Sequence, residues 1–358
     1  MDYHEMIKKT CFDSNWIKNL HKEIKADPIL IEKAIYAFEL LGNLVENGLN
    51  LVFKGGTSLM LLIPDLKRFS IDLDVITNED DKKLEEIFNT LMKQRIFNRW
   101  EEDKRIPNHK IPKRHYKFYY NSPTQNTESY VLLDILLVEQ PFAKTIQMPI
   151  IQPFFEVERK VRVRVPTING LAADKLTAFA PATIGVPYGK DKSMEMLKQL
   201  FDLGILFEHI DDLKEIRKTY EKIAKSEAGF RHIKPDIEEF LNDTIGVCFL
   251  ICQLDFKGAI KDDRTKEIRQ GLTAIKSHIF GGKYSLLNAK EDASKIACLA
   301  YLIKDNRLDT QLKKLRKNRE NTEIIKEVSL TDKFAILDKL KSISPGSFYL
   351  WAVANNIL

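Results

Sequence analysis

Residues 51–64, LVFKGGTSLMLLIP, and residues 68–76, RFSIDLDVI, decide how the rest of the chain is to be read. Leu51 to Phe53 is a short apolar run of strand type, Lys54-Gly55-Gly56-Thr57-Ser58 is a glycine loop, and LMLLI is an apolar helical turn that Pro64 ends. The order is strand, loop, helix. Glycines at such a junction let backbone N–H groups approach phosphate oxygens at a helix N-terminus, although the same residues also serve as a plain turn. The loop lacks the closing Gly-Lys-Ser/Thr of a Walker loop. From Ile71 to Ile76 apolar and acidic residues alternate, so at strand period Asp72 and Asp74 share one face and Ile71, Leu73 and Val75 the other. Same-face neighbours on a strand lie roughly 7 Å apart, from where two carboxylates can share divalent ions spaced about 3.5–4 Å apart. A solvated strand edge gives the same pattern.

Working outward, Asp27-Pro28 opens a helical pattern that reaches Glu46 and stops at Asn47-Gly48. Leu84, Ile87, Phe88, Leu91 and Met92 mark a second helix. Lys113 to Tyr120 alternates as a strand, and Tyr130 to Val138 (YVLLDILLV) reads as a central strand buried on both sides, interrupted only by Asp134. An isolated carboxylate there costs several kcal/mol unless a metal or a charged partner compensates it, and both solutions remain open. RKVRVRV, residues 159–165, alternates again. A helix begins near Asn169, a Pro/Gly-rich loop covers Pro181 to Gly189, and a further helix carries Met194 to Phe207. The remainder reads as helices broken at Gly229, Pro235, Gly258, Gly271, Gly281-Gly282 and Pro345, which predicts a helical bundle.

With 358 residues, 44% apolar and 30% charged, the chain is a folded protein long enough for two domains. No apolar run reaches the roughly 18–20 residues of a membrane helix, and the opening MDYHEMIKKTCFD has no apolar centre, so a cytoplasmic protein without a membrane partner is expected. Cys11, Cys248, Cys252 and Cys298 form no disulfide framework, and Cys248 and Cys252 have no further ligand at metal spacing, so buried reduced thiols are expected. The net charge of +5 does not by itself announce a nucleic-acid partner, but most of it lies after residue 205. His109 and His115 have no evident nucleophile partner and receive no catalytic part.

Lys54-Gly55-Gly56-Thr57-Ser58 followed by Arg68-Phe69-Ser70-Ile71-Asp72-Leu73-Asp74 resembles the first motif of the AbiEii/AbiGii toxin family, a branch of the polymerase β-like nucleotidyltransferase superfamily. Asp134 resembles the third carboxylate on a neighbouring strand, Asp174-Lys175-Leu176-Thr177-Ala178 the lysine motif, and Lys198-Gln199-Leu200-Phe201-Asp202-Leu203 the final acidic motif. Gln199 stands where relatives commonly carry an acid. The resemblance covers roughly residues 30–210. It implies an α/β fold, with a polymerase β-like nucleotidyltransferase domain on a mixed sheet (1–208) followed by an all-helical domain (209–358). It also implies Mg²⁺-dependent transfer of a nucleotidyl group from a nucleoside triphosphate to an acceptor hydroxyl. Asp72, Asp74 and Asp134 would hold two Mg²⁺ ions, with Asp134 on the ion that activates the attacking hydroxyl. Gly55, Gly56, Thr57 and Ser58 would cradle the β- and γ-phosphates, and Lys175 would face the triphosphate. Arg68 and Ser70 would brace the loop or touch a phosphate, and Asp202 would tether Lys175 or touch the nucleotide. Lys54 either ends its strand in solvent or helps neutralise phosphate.

The family further implies the toxin of a bacterial type IV toxin–antitoxin or abortive-infection system, with a cognate antitoxin and an RNA acceptor such as the tRNA 3′ end. Two rivals stand beside it: the same chemistry on a protein hydroxyl or small molecule, and a non-catalytic binding protein on the same fold. Lys113-Arg114-His115-Tyr116-Lys117-Phe118-Tyr119-Tyr120 mixes cations with aromatics in a way that suits phosphate contact and base stacking, or an ordinary amphipathic strand. Lys313 to Arg319 is a second cationic segment, either solvated or RNA-guiding.

Overall fold

In the computed structural model, which describes residues 5–64, 68–104, 111–280 and 282–358, the contacts divide the chain into two units. The first comprises residues up to Thr167 together with His278–Gly282, and the second comprises Ile168–Ser277 with Lys283–Leu358.

The first unit holds α1 (Ser14–Ile24), α2 (Pro28–Glu46), β1 (Val52–Lys54), α3 (Gly55–Leu62), β2 (Leu73–Thr77), α4 (Asp81–Met92), β3 (Arg99–Glu102), β4 (Lys113–Asn121) and β5 (Glu128–Leu137). It ends with a two-stranded ribbon of β6 (Thr145–Pro149) and β7 (Arg162–Pro166). Asp27 accepts the Ile29 N–H at 2.8 Å and Pro28 sits in the first turn, so α2 starts where its fixed φ and missing N–H cost nothing. The sheet order is β1-β2-β5-β4-β3, with β2 and β5 parallel and the other pairs antiparallel, which makes it mixed. Phe53, Val75, Leu133, Ile135, Phe118 and Tyr120 are buried on one face. α2 covers that face with Tyr36 stacked on Tyr120, and α4 adds Phe88 edge-on to Tyr116 and Phe118. Each such fully buried large side chain contributes roughly 1.5–3 kcal/mol.

The second face differs from the expectation for Tyr130 to Val138. β5 is buried on one side only: Val131, Leu133 and Ile135 are inside, whereas Leu132, Asp134 and Leu136 are half-buried. The run looks continuous in sequence because Leu132 and Leu136 flank the carboxylate on that second face. Asp72 also falls just outside the strand predicted for it, since β2 begins at Leu73.

The second unit carries α5 (Ile168–Ala178), α6 (Ser193–Leu206), α7 (Leu213–Phe230), α8 (Ile237–Gln253), α9 (Asp263–Ala274), α10 (Leu286–Lys304), α11 (Leu312–Asn318), α12 (Leu340–Ile343) and α13 (Pro345–Ala354). One predicted break is absent, because α9 runs through Gly271, whereas α7 ends at Phe230, directly after Gly229. A Cβ at Gly271 would sit 2.5 Å from the Ser193 carbonyl oxygen, so this glycine lets α9 press against the start of α6. Pro235 and Gly258 do lie in the connections between helices, and Pro345 opens α13. All four cysteines are free and buried, and burial pushes the Cys298 thiol up to about 12. Among the described residues no helix is long and apolar enough to cross a membrane.

Candidate active site

One row across the second face of the sheet holds a line of charged and titratable residues. Lys54 lies opposite Asp74, Asp74 opposite Asp134, and Asp134 opposite His115. Adjacent strands are about 4.8 Å apart and partners in register share a face, so two carboxylates from two separate strands stand side by side. Asp134 Oδ1 accepts from His115 Nδ1 at 2.6 Å, and Oδ2 accepts from Lys113 Nζ at 3.1 Å. The Asp134 side chain is only 12% exposed, so these charge-assisted bonds offset its desolvation. An ionised carboxylate only accepts, which puts the imidazole hydrogen on Nδ1. His115, given no catalytic part from sequence, is thus a direct partner of Asp134. Its alternation with Tyr116, Phe118 and Tyr120 marks the face, but the register that brings it to Asp134 is not written in either strand. His109 lies outside the described residues.

The glycine loop is seated on Asp74. Gly55 adopts φ +79° as the first residue of α3, a conformation that favours glycine, and a Cβ there would lie 2.2 Å from Asp74 Oδ2. A Cβ on Gly56 would meet Arg68 Nη2 at 2.6 Å and Ser70 Oγ at 2.8 Å. Arg68 is buried and its Nη1 donates to the Phe69 carbonyl at 3.3 Å, so it braces the segment that leads into β2. Thr57 Oγ1 donates to the Asp72 carbonyl at 2.6 Å and Ser58 Oγ to the Gly55 carbonyl at 2.9 Å. Both hydroxyl protons are therefore committed, that of Thr57 to the segment before β2 and that of Ser58 within the loop. What remains in kind for an anion is the first turn of α3, whose N–H groups have no partner within the helix and whose dipole favours negative charge. Asp72 stands beside this loop with an exposed side chain.

Among the described residues no group of three or more His, Cys, Asp and Glu side chains is gathered as a metal site. The donor set nevertheless fits Mg²⁺, which keeps water and takes one or two carboxylates together with substrate phosphates. Asp74 and Asp134 supply hard oxygens side by side next to the glycine loop.

Lys175, Gln199 and Asp202 form a cluster within the second unit. Lys175 on α5 and Asp202 on α6 pair at 2.8 Å with side chains 5% and 0% exposed, and Lys175 Nζ also donates to Gln199 Oε1 at 3.1 Å. Gln199 therefore keeps the contact to the lysine as a neutral acceptor. The cation–aromatic run from Lys113 resolves into an amphipathic strand, with Tyr116, Phe118 and Tyr120 in the core. The ring of Tyr119 is covered by the Arg99 guanidinium, 3.4 Å from its centroid. In the second cationic segment Arg316 donates to the Phe207 and Ile210 carbonyls and Arg319 pairs with Glu208, while Lys313, Lys314 and Lys317 are exposed.

A family model described as nucleotidyl transferase AbiEii toxin, type IV TA system, matches residues 39–282. No curated protein matches the sequence. Among solved structures, JHP933 from Helicobacter pylori is similar over 83% of this chain and 96% of its own, at 17% identity and a TM-score of 0.42. An antigenic nucleotidyltransferase-like protein from Paracoccidioides brasiliensis is similar over 56% of this chain and 91% of its own, at 14% identity and a TM-score of 0.36.

Proposed function

Because the chain belongs to the AbiEii family of nucleotidyl transferase toxins of type IV toxin–antitoxin systems, we propose that it moves a nucleoside monophosphate from a nucleoside triphosphate to a hydroxyl of RNA, the tRNA 3′ end foremost. The observation that carries this reading is the pairing of Asp74 with Asp134 under a glycine loop that leaves no room for a side chain. Asp72, Asp74 and Asp134 would hold Mg²⁺. Bound there, the metal would lower the pKa of the attacking hydroxyl and offset charge on the leaving pyrophosphate. The chain's own part is positional. The first-turn N–H groups at Gly55, Gly56, Thr57 and Ser58 bind the β- and γ-phosphates, with Arg68 and Ser70 holding the loop from below. His115 and Lys113 fix the Asp134 carboxylate, and Lys175, oriented by Asp202, is a point charge for the triphosphate. The functional domain then runs to residue 208, past the packing boundary at Thr167, because Lys175 and Asp202 belong to the chemistry; residues 209–358 form a helical appendage. A cognate antitoxin and action in the cytoplasm follow from the same reading.

The test is direct. Purified protein is incubated with Mg²⁺ and each labelled nucleoside triphosphate, with total tRNA or with buffer alone. Label in RNA is expected, and Asp74→Asn should lower it at least ~10²-fold, the scale of losing one preorganised charge-stabilising group. Label in protein instead moves the acceptor to a protein hydroxyl. Undiminished labelling by Asp74→Asn removes Asp74 from the site.

A further inference from the structure

The chain leaves the second unit after Ser277, packs His278–Gly282 into the first unit, and returns at Lys283. The place it packs is the segment that leads into β2. Ile279 forms an antiparallel bridge with Arg68, and the Phe280 ring lies 4.9 Å from the Phe69 ring at an interplanar angle of 32°. Phe69 is 3% exposed and also meets Phe154 edge-on at 5.3 Å, so its ring is held between two aromatic neighbours. On its other side the same segment meets the glycine loop, through the close approach of Arg68 Nη2 and Ser70 Oγ to Gly56 and the bond from Thr57 Oγ1 to the Asp72 carbonyl. Residues 68–72 are thus sandwiched between the glycine loop and a strap drawn from more than two hundred residues later in the chain. The family match, 39–282, runs on through this strap.

We propose that Ile279 and Phe280 are positioning residues of the nucleotide site. They fix how deeply Arg68 and Ser70 press on Gly56, and so set the glycine loop over Asp74. The inference rests on reading the glycine loop as the triphosphate cradle. The strap itself is not proposed to touch substrate. Its effect passes through Phe69 and Arg68, and it falls on nucleotide binding more than on turnover. A misplaced binding loop loses contacts that hold the triphosphate in ground and transition state alike, which raises KM with kcat little changed and makes a remote aromatic contact consequential.

The test is a graded series in the full chain, Phe280→Leu, Phe280→Val and Phe280→Ala. It has two readouts, amide hydrogen exchange and the KM and kcat for whichever Mg²⁺-bound ATP, GTP, CTP or UTP the wild type uses on tRNA. Exchange at residues 55–58 and 68–74 should rise in the order Leu, Val, Ala, by ~5-fold or more at Ala, with β4 and β5 unchanged. KM should rise in the same order by ~10-fold at Ala, with kcat within about twofold and Leu near wild type. If Ala does not fold, the Leu and Val variants carry the comparison. Flat exchange across the series overturns the strap whatever the transfer assay shows. Raised exchange with unchanged KM overturns its role in nucleotide positioning. Raised exchange in a protein whose wild type transfers no nucleotide leaves the strap standing and overturns the reading of the cradle.

Discussion

Gly55 and Gly48 form a matched pair, because both hold positive φ, +79° and +83°, yet only Gly55 has a neighbour where a Cβ would go. Alanine at Gly48 meets only the backbone penalty of about 1 kcal/mol and open space, so transfer activity should stay normal. Alanine at Gly55 adds a collision with Asp74 Oδ2, which must displace either the carboxylate or the loop. Gly55→Ala is therefore expected to cost about 1–3 kcal/mol and to abolish transfer. Urea midpoints and labelled-nucleotide transfer on both variants check the pair. Equal behaviour would show that loop and carboxylate do not touch. Residue identity made Gly55, Asp74 and Asp134 legible, since a glycine between strand and helix and a carboxylate inside an apolar strand both stand out against their surroundings. His115 did not stand out, because its meaning lies in the residue opposite it and a single strand carries no information about its partner.

Elements with a strong period were legible for the same reason that they form. α2 could be read from its cap to its final turn, and β2 and β5 from alternation and apolar runs. β3 (RWEE) is exposed at three of its four positions and β6 (TIQMP) carries no fully buried residue, so neither shows the contrast that pattern reading needs. Gly271 deceived because a glycine that permits helix contact looks the same in sequence as one that ends a helix. The α5–α6 pair is different, since Lys175 and Asp202 come from motifs 27 residues apart and meet as a nearly fully buried pair. Removing one partner from such a pair leaves a buried charge, so Asp202→Ala should destabilise the second unit by about 3–5 kcal/mol. The double change Lys175→Met with Asp202→Leu should recover most of that stability, because a buried pair exchanged for apolar groups is often neutral. Transfer should be lost in both proteins. Denaturant titration followed by the Trp351 signal, with the transfer assay alongside, separates the two effects. A double variant as unstable as Asp202→Ala would show that the pair is net stabilising.

At the scale of the whole molecule, each unit hides a carboxyl that burial pushes upward. Glu39, in α2, rises to about 7 despite accepting from the Ile7 and Met6 N–H groups and from Asn43, and Asp292, in α10, rises to about 6. Both hold a proton in the folded chain that the unfolded chain has already released, so the native state binds more protons and stability falls with rising pH. For Glu39 the contribution is fully present below its ordinary value of 4.5 and is lost as pH rises through about 7. Glu208 works the other way. Burial raises it, but Arg319 and Lys295 outweigh burial and hold it low, so its contribution is present above the ordinary value and fades as pH falls. The first unit should accordingly lose stability between pH 5 and 8. Amide exchange at Phe118 and Val131, deep in β4 and β5, reports that unit alone once intrinsic rates are divided out. Glu39→Gln removes the titrating group while keeping one acceptor oxygen for the N-terminal segment, and it should flatten the slope over that window. An unchanged slope would place the pH dependence on another group and leave Glu39 ionised throughout.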